Sequence, residues 1–302
     1  MLFHSSGIQV SSETFKSKFS IPVVIGKAKR RGRLTILGSR IFKPGVVVLQ
    51  LFTTRINFVT GSDNITALWR SKELDARAVT FFTLKEFFST PDPSMKVYLG
   101  DSSGINPQPH PSSSSIAPKD RYYYQNRKAT VGFFNGPGLK SMGNRFSNLL
   151  TKEVNRLDLS HDWIKCEDLY GFIQNLLIGP AVEAMCGPVL FAQNPTFGKE
   201  FWNIDHDIFY FFKAYPRWLA PRAYRNRSKL LNSVKTWHIF ARDNYTDDCI
   251  EHDGHDQYYG SPLMRLRQEY LSNVDGLDAD AIASQDLGLL WAYVLLPRSS
   301  WK

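Results

Sequence analysis

The side chains best suited to bind a metal ion lie together in an acidic stretch from Asp247 to Asp256. Cys249, His252 and His255 lie there among four aspartates. Zinc needs nitrogen and sulfur ligands whose spacing lets them converge on one tetrahedron. The glycine at position 254 and the aspartates are typical of a polar loop instead, and no second pair of ligands follows nearby. The sequence therefore predicts no metal site.

Nucleophilic and nucleotide-binding motifs give no stronger signal. The three cysteines, Cys166, Cys186 and Cys249, are odd in number and lack short spacing, which argues against a disulfide framework and favours a reducing compartment. The chain has no G-x-S-x-G elbow, P-loop or G-x-G-x-x-G fingerprint. The residues alone indicate no self-contained catalytic motif.

The charge balance favours anionic partners. The chain has 302 residues, with 37 Lys and Arg against 28 Asp and Glu, and a formal net charge of +9. Nucleic acid, acidic lipid and an acidic protein all suit that balance, as does an ordinary basic surface. The run from Lys27 to Arg33 has the same alternatives: a nuclear signal, a nucleic-acid contact, a solvated linker or a membrane-facing patch.

Aromatic residues are abundant, at 14% of the chain. One set falls close together in a predicted helix and just beyond it: Phe209, Phe211, Phe212, Tyr215 and Trp218. Such a set lines a cavity for a bulky apolar ligand or, more commonly, packs in the core. Both interpretations stay open at the level of the sequence.

The elements that must position these residues are mainly helical. Val46 to Phe52 and Arg55 to Val59 predict a β hairpin, followed by a short helix from Asn64 to Lys72. The proline- and serine-rich residues 90–119 predict a loop. Helices are predicted over 119–134, 139–157, 167–186, 197–215, 228–244, 262–273 and 278–296. The fold class is mainly α with a small N-terminal β hairpin.

Domain organisation and membrane segments follow from the same pattern. Residues 1–44 are weakly patterned, and residues 45–302 predict one mostly helical domain. The polar start lacks the apolar stretch of a signal peptide. The long apolar stretch 169–191 contains Gln174, Asn175 and Glu183, so it predicts a buried core helix and not a membrane span.

The order of these elements resembles the first half of a cytochrome P450, a haem-thiolate monooxygenase. The resemblance covers about residues 45–292 and depends on the order and spacing of several motifs. The segment from Ala281 to Ala292 resembles helix I in fungal relatives of the sterol 7α-hydroxylase and prostacyclin-synthase branch. The matching segments are the hairpin, a helix B at Ser62 to Lys72, the loop 91–118, a helix C at Asp120 to Arg127, its exit turn at Asn135 to Lys140, and the opening of helix I at Ala281 to Ala292.

The resemblance implies haem as the cofactor of the parent enzyme and an NADPH reductase as its partner. Helix C of this family commonly offers a W-x-x-x-R pair to a haem propionate. Tyr123 and Arg127 have that spacing, with Tyr in place of Trp, so a vestigial propionate contact is expected there.

The resemblance also implies a substrate pocket. Phe209 and Phe212, together with Trp291 and Ala292 of helix I, are its expected lining. A bulky apolar secondary metabolite, for example a terpenoid mycotoxin, is the expected substrate of the parent enzyme. The expected location is the cytoplasm or the surface of the endoplasmic reticulum, without a nucleic-acid partner.

Departures from the family change the expectation for activity. The F-x-x-G-x-x-x-C-x-G loop that supplies the axial thiolate and the E-x-x-R pair do not occur in matching places, and the usual N-terminal anchor is missing. After Ala292 the chain continues as Tyr293 to Lys302, unlike the family. The leading hypothesis is therefore an inactive, truncated monooxygenase without thiolate-bound haem.

Two further hypotheses stay open: an active monooxygenase with an incomplete gene model, and a basic helical module that binds nucleic acid or acidic lipid. The leading hypothesis predicts an incomplete core, because helix I of the parent packs between two halves. Ala283, Leu287, Leu290 and Trp291 are expected to form an apolar stripe without partners on one side.

Overall fold

The fold is taken from a computed structural model. It describes residues 45–51, 54–70, 77–113, 115–157, 166–213 and 215–300. The chain divides into two compact units, with the boundary between Thr83 and Leu84. The basic run 27–33 lies outside the described residues.

The first unit contains the predicted β hairpin. Strand β1, Gly45–Leu51, pairs antiparallel with β2, Thr54–Thr60, in a register that runs from Gly45 opposite Thr60 to Leu51 opposite Thr54. Gly61, at φ +97°, ends β2, and helix α1, Ser62–Arg70, begins at the next residue. A short helix α2, Arg77–Phe82, follows. The hairpin and the helix after it confirm the sequence prediction.

The second unit is almost wholly helical, so the predicted fold class is confirmed. Its helices are α3 (Asp92–Gly100), α4 (Tyr122–Asn135), α5 (Pro137–Asn155), α6 (Leu169–Cys186), α7 (Val189–Gln193), α8 (Phe197–Phe212), α9 (Pro221–Asn244), α10 (Pro262–Asn273) and α11 (Ala279–Ser300). Among the residues that the structure describes, none of the helices combines the length and apolar character needed to cross a lipid bilayer.

The prediction of a continuous loop over 90–119 is wrong in its first third. Helix α3 occupies Asp92–Gly100 and buries Ser94, Met95 and Tyr98. Its prolines do not interrupt it, because Pro91 is the N-cap and the proline at 93 lies in the first turn, where a backbone N–H has no helical partner. Prolines at these positions begin a helix and do not break one.

Helix α11 is the centre of the second unit. It packs against α6, α9 and α10. Ala283, Leu287 and Leu290 are buried, and Trp291 is half-buried. The expected stripe without partners is therefore wrong: α6, α9 and α10 supply the partners that the sequence analysis assigned to a second half.

Helix α6 is buried over only part of its length. Its C-terminal half, from Ile178 to Cys186, contributes seven buried residues to the core. Its first turns expose Leu169, at 61%, together with Phe172 and Ile173. The prediction of a buried core helix is correct for the second half and wrong for the first, because hydropathy does not distinguish an apolar face in contact with a neighbour from one in contact with solvent.

The end of α6 meets the loop before α10 at two glycines. Gly187 and Gly260 both have left-handed backbones, at φ +76° and φ +79°. A Cβ added to Gly260 would lie 2.2 Å from the backbone nitrogen of Gly187. The Ser261 N–H donates to the Met185 carbonyl at 2.9 Å, which fixes this close approach. Only glycine fits at position 260.

We expect Gly260→Ala to destabilise the chain strongly. Gly104→Ala is the matched control, because Gly104 has the same φ of +79° and open space around its Cα. The left-handed backbone costs an alanine about 1–2 kcal/mol at either site. The backbone collision at position 260 should add roughly 1–3 kcal/mol. Urea denaturation measures both variants, and equal losses of unfolding free energy would contradict the packing described here.

Candidate functional site

A π-helical turn followed by a strained residue begins the candidate site. The turn covers Thr83–Phe87, and Ser89 after it has φ +60°. The Thr90 N–H donates to the Leu84 carbonyl at 2.9 Å, and Lys85 pairs with Asp92 at 2.8 Å. These bonds fold the segment back on itself. π-Helical turns and left-handed non-glycine residues are concentrated at functional sites.

This turn brings four aromatic rings together, which we call the aromatic wall: Phe87, Phe88, Phe212 and Trp291. The ring centroids of Phe87 lie 6.4 Å from Phe212 and 6.5 Å from Trp291, and those of Phe88 and Trp291 lie 6.1 Å apart. All three pairs are edge-to-face, the favourable geometry for aromatic contacts. Phe212 and Trp291 are only half-buried. Both side chains are therefore partly accessible to an apolar ligand.

Helix α11 contacts the segment after the π-helical turn at two points, a hydrogen bond between two hydroxyl groups and a close approach at a glycine. The Oγ atoms of Thr90 and Ser284 lie 2.6 Å apart in the buried interior. Ser284 donates to the Ala281 carbonyl at 2.8 Å, so Thr90 is the donor in the pair. Gly288 lies one turn further along α11, and a Cβ added there would lie 3.2 Å from the Phe88 ring. Glycine at 288 therefore lets the ring lie on the helix.

We expect Gly288→Val to displace Phe88 and to lower stability by roughly 1–3 kcal/mol through overpacking. Gly143→Val in α5 is the matched control, since nothing lies within 4 Å of a Cβ there. Both substitutions place valine within a helix, so their difference reports on the Phe88 contact. Thermal unfolding followed by tryptophan fluorescence measures it. Identical melting temperatures for the two variants would show that the ring does not rest on position 288.

Arg227 of α9 holds the π-helical turn from the other side. It is buried, and its Nη1 donates to the Glu86 carbonyl at 2.5 Å. Its guanidinium stacks 4.7 Å from the ring centroids of both Phe211 and Tyr224. Burial lowers the pKa of Arg227 and raises that of Glu86. The arginine thus fixes the residue immediately before Phe87.

The carboxyl group of Asp205 lies near Trp291 of the wall. Asp205 lies on α8, and burial raises its pKa, while the Trp291 indole offsets part of that rise. Burial that raises the pKa of a carboxyl group indicates that little water surrounds it. The surroundings of Trp291 on the side of Asp205 are therefore partly screened from water, which suits a mainly apolar ligand.

Beyond the wall, a buried polar network fixes α11 to three other helices. Asp286 accepts hydrogen bonds from Arg267 Nε at 2.8 Å and from Gln268 Nε2 at 2.7 Å, and its Oδ2 lies 3.2 Å from His238 Nε2. Arg267 also donates to Asn126 Oδ1 at 2.8 Å. Helices α4, α9, α10 and α11 therefore meet at one carboxylate.

The charges in this network stabilise each other. Burial by itself raises the pKa of Asp286, but Arg267 and His238 more than offset this, so the pKa lies below its ordinary value. Burial by itself lowers the pKa of Arg267, and Tyr270 and Asp286 raise it above its ordinary value. Both groups are therefore ionised at neutral pH.

A second polar contact links α11 to α3 and α4. The Tyr122 hydroxyl donates to Gln285 Oε1 at 2.7 Å, and Gln285 Nε2 donates to the Tyr98 hydroxyl. The two tyrosine rings lie 4.7 Å apart. Burial raises the pKa of both hydroxyl groups. They act as neutral hydrogen-bonding groups that hold α11 in place.

Sequence comparisons relate this arrangement to known proteins. The chain is 30% identical over 190 residues to cytochrome P450 monooxygenase fsoE of Humicola fuscoatra, a match that covers 61% of this chain and 33% of that protein. It is 28% identical over 200 residues to cytochrome P450 monooxygenase efuG of Hormonema carpetanum, covering 64% and 36%. Both matches support membership of the cytochrome P450 superfamily. It spans about a third of the length of these curated relatives.

No family model and no solved structure matches the chain. The assignment to the P450 superfamily therefore depends on the two curated relatives, which are fungal monooxygenases. The resemblance stated from the motifs of helices B, C and I is confirmed at the level of the superfamily.

The P450 resemblance predicted four pocket residues, and the structure brings three of them to one place. Phe212 and Trp291 belong to the aromatic wall, and Ala292 is buried beside Trp291. Phe209 does not join them, because its side chain is 68% exposed. Phe87 completes the wall and was missed in the sequence, where it stands in a stretch without a clear period.

The predicted propionate pair, Tyr123 and Arg127, lies on α4. Tyr123 is half-buried, and its hydroxyl donates to the Tyr98 carbonyl at 3.1 Å. Its backbone N–H donates to Asp101 Oδ2 at 2.9 Å. Arg127, one turn further along α4, is exposed. The Tyr123 hydroxyl is thus already engaged within the protein, and a role for the pair toward haem stays a prediction.

The cysteines do not fit the thiolate position of a P450. Cys186 is fully buried, and burial together with Asp286 raises the pKa of its thiol well above the ordinary value. Cys166 is exposed ahead of α6. Cys249 follows the far end of α9, about 26 Å along that helix from Arg227. The axial haem ligand of the P450 family is a cysteine thiolate, and burial disfavours the thiolate form of Cys186.

The acidic stretch before α10 forms a hydrogen-bonded loop. His255 is buried, and its Nδ1 lies 3.3 Å from the Ser141 hydroxyl and 3.5 Å from Asp253 Oδ2. The serine and the aspartate therefore face the same ring nitrogen, whereas in a nucleophilic triad they contact opposite nitrogens of the histidine. Across the described residues, no three His, Cys, Asp or Glu side chains are grouped as metal ligands.

Proposed function

We propose that the helical unit is the ligand-facing part of a haem monooxygenase that acts on a bulky apolar secondary metabolite, such as a terpenoid. The aromatic wall is the observation that supports this proposal. Its rings come from the turn after α2, from the end of α8 and from α11. Together they form an apolar surface beside α11, whose segment Ala281 to Ala292 resembles helix I of the family.

The character of the wall favours a large apolar ligand over a polar one. Phe212 and Trp291 are half-buried, and Phe87 and Phe88 are buried behind them. Aromatic faces bind fused or branched hydrocarbon bodies through dispersion and loss of water contact. Asp205 is a titratable neighbour of Trp291, and burial raises its pKa, as expected where little water reaches the carboxyl group. A neutral hydrocarbon with few polar groups fits this surface.

We further propose that the 302-residue chain is itself inactive and that its parent takes electrons from an NADPH-dependent reductase. The position of the cysteines supports the first part. Oxygen activation in this family depends on an axial thiolate, and Cys186, the cysteine nearest α11, is buried as a neutral thiol. The reductase is the partner that P450 chemistry implies.

A titration with farnesol, a sesquiterpenoid alcohol, tests the ligand proposal. Binding is followed by the change in tryptophan fluorescence, and Trp291→Phe identifies the reporting residue. Removing one aromatic contact should weaken binding about five- to tenfold in Phe212→Ala. Phe209→Ala is the matched control, since Phe209 is exposed away from the wall. Equal affinities for the two variants would refute the assignment.

A second candidate function is association with an acidic lipid surface, at the end of α8 and the start of α9. Trp218 is 79% exposed, and Phe209 and Leu219 are exposed as well. Arg217 and Arg222 are exposed beside them. Exposed apolar side chains among arginines are typical of surfaces that lie in a membrane interface. These residues favour lipid over nucleic acid among the alternatives that the charge balance left open.

Vesicle sedimentation distinguishes the two candidate sites. Vesicles of phosphatidylcholine with a third of phosphatidylserine should retain the chain, and pure phosphatidylcholine should retain much less. Trp218→Ala should reduce retention and leave the farnesol affinity unchanged. Phe212→Ala should do the reverse. Retention that is independent of both Trp218 and lipid charge would refute the lipid surface.

A further inference from the structure

An open groove lies on the second unit, away from the aromatic wall. Its sides are α4 and α5, the loop Glu251–Gly254 and the start of α10. Its volume is about 1220 Å³, larger than the roughly 300–1,000 Å³ of a small-molecule pocket. The lining extends along α5 from Pro137 to Lys152, a length of about 22 Å at 1.5 Å per residue. We call it the lysine groove, after Lys128, Lys140 and Lys152 on its rim.

The floor of the lysine groove is apolar. Ala129, Phe133 and Leu263 line it and are buried. Leu266, on the α10 side, is 43% exposed. An exposed leucine beside buried apolar side chains is typical of a surface that binds another apolar side chain.

The carboxylates of the groove are already engaged. Arg145 pairs with Asp253 at 3.1 Å and with Glu251. Asp253 also accepts hydrogen bonds from the Ser141 hydroxyl and the His255 N–H, both at 3.1 Å. Burial by itself raises the pKa of Asp253, but Arg145, His255 and Ser141 lower it far below its ordinary value.

The lysines, in contrast, are not neutralised. Lys128, Lys140 and Lys152 are exposed. Within the described part of the chain, none of them forms an ion pair with a carboxylate. Lys140 and Lys152 are about 18 Å apart along α5, too far to converge on a single phosphate or carboxylate. The charge of the groove therefore suits an extended anion.

We propose that the lysine groove binds an acidic amphipathic helix of a partner protein. A helix of about 15 residues spans the 22 Å of the groove, its apolar face meets Leu266 and the floor, and its acidic flanks meet the lysines. Single-stranded nucleic acid fits less well, since it needs exposed aromatic rings for base stacking and Phe133 is buried. This proposal does not depend on the monooxygenase function.

Fluorescence anisotropy with a synthetic peptide tests the proposal. The probe is a labelled 15-residue helix with leucines on one face and glutamates on the other, and a scrambled peptide of the same composition is its control. The purified 302-residue chain should bind the helix at least about tenfold more tightly than the scrambled peptide, because only the helix presents both faces together.

Three variants locate the binding. Lys128→Gln, Lys140→Gln and Lys152→Gln together should weaken it about tenfold through the loss of three exposed ion pairs. Leu266→Asp should also weaken it. The matched control replaces three other exposed lysines by glutamine, namely Lys96, Lys199 and Lys229, and should change the affinity less than twofold. Circular dichroism melts confirm that each variant is folded.

Three results would overturn the proposal. The scrambled peptide could bind as tightly as the helix, which would show attraction by charge alone. The two triple variants could weaken binding equally, which would show that the groove is not the site. A 15-nucleotide single strand could bind more tightly than the helix through the same lysines, which would identify a nucleic-acid surface.

Discussion

Replacing Asp286 with alanine is expected to cost about 3–5 kcal/mol of unfolding free energy, because it leaves the buried Arg267 guanidinium without its carboxylate. Asp286 has no exposed surface and contacts Arg267, Gln268 and His238 at once. A domain has only about 5–15 kcal/mol of stability in total. Urea denaturation followed by far-UV circular dichroism measures the loss.

Asp280→Ala is the control for this prediction. Asp280 lies on the same helix and pairs with Lys235 at 2.7 Å, but it is exposed. An exposed ion pair contributes about 0–1 kcal/mol, so this variant should unfold close to the parent chain. The double variant Asp286→Leu with Arg267→Met should recover part of the loss, since it removes both buried charges. Equal losses in Asp286→Ala and Asp280→Ala would contradict the central role of the network.

The low pKa of Asp286 also predicts that the stability of the chain falls at acid pH. The pKa of Asp286 in the folded chain is below its ordinary value of 3.8. Its contribution is therefore fully present above the unfolded value and is lost as the pH falls through the folded one. When the pH falls from about 5 to about 2, the parent chain should lose more unfolding free energy than Asp286→Ala does. Parallel slopes for the two proteins would refute the assignment.

The second large effect concerns haem. The purified chain, incubated with hemin, reduced and exposed to carbon monoxide, should lack the red-shifted Soret band that thiolate ligation gives. Cys186 is buried as a neutral thiol, Cys166 is exposed ahead of α6, and Cys249 lies in a turn at the far end of α9. A variant with all three cysteines changed to serine should give the same spectrum. A thiolate band that disappears in this variant would contradict the proposal.

The sequence predicts most of the fold because its signals are local. Alternating apolar residues define the hairpin, and the predicted bounds of α10, 262–273, agree with Pro262–Asn273. The helix at Asp92–Gly100 was missed because proline content was treated as a loop signal, whereas Pro91 and Pro93 stand at the start of that helix. The position of a proline decides its effect, and composition does not report position.

The candidate site is less predictable, because it joins distant parts of the chain. Thr90 and Ser284 are 194 residues apart in sequence and share a buried hydrogen bond. Phe88 contacts Trp291 because a π-helical turn precedes it, and no periodic pattern in the sequence predicts that turn. Phe209 and Phe212 stand on one helix, yet only Phe212 joins the wall, since three residues along a helix change the direction of a side chain by about 60°. Sequence spacing alone could not distinguish them.

Photo-crosslinking tests the central claim, that the aromatic wall binds an apolar ligand, most directly. The chain is irradiated with a benzophenone ether of farnesol, digested and sequenced by mass spectrometry. Labels should fall on the peptides that contain Phe87 and Phe88, Phe212, and Trp291, and excess farnesol should remove them. Labels concentrated on the exposed start of α6, at Leu169 to Ile173, or labels that farnesol does not displace, would contradict the account.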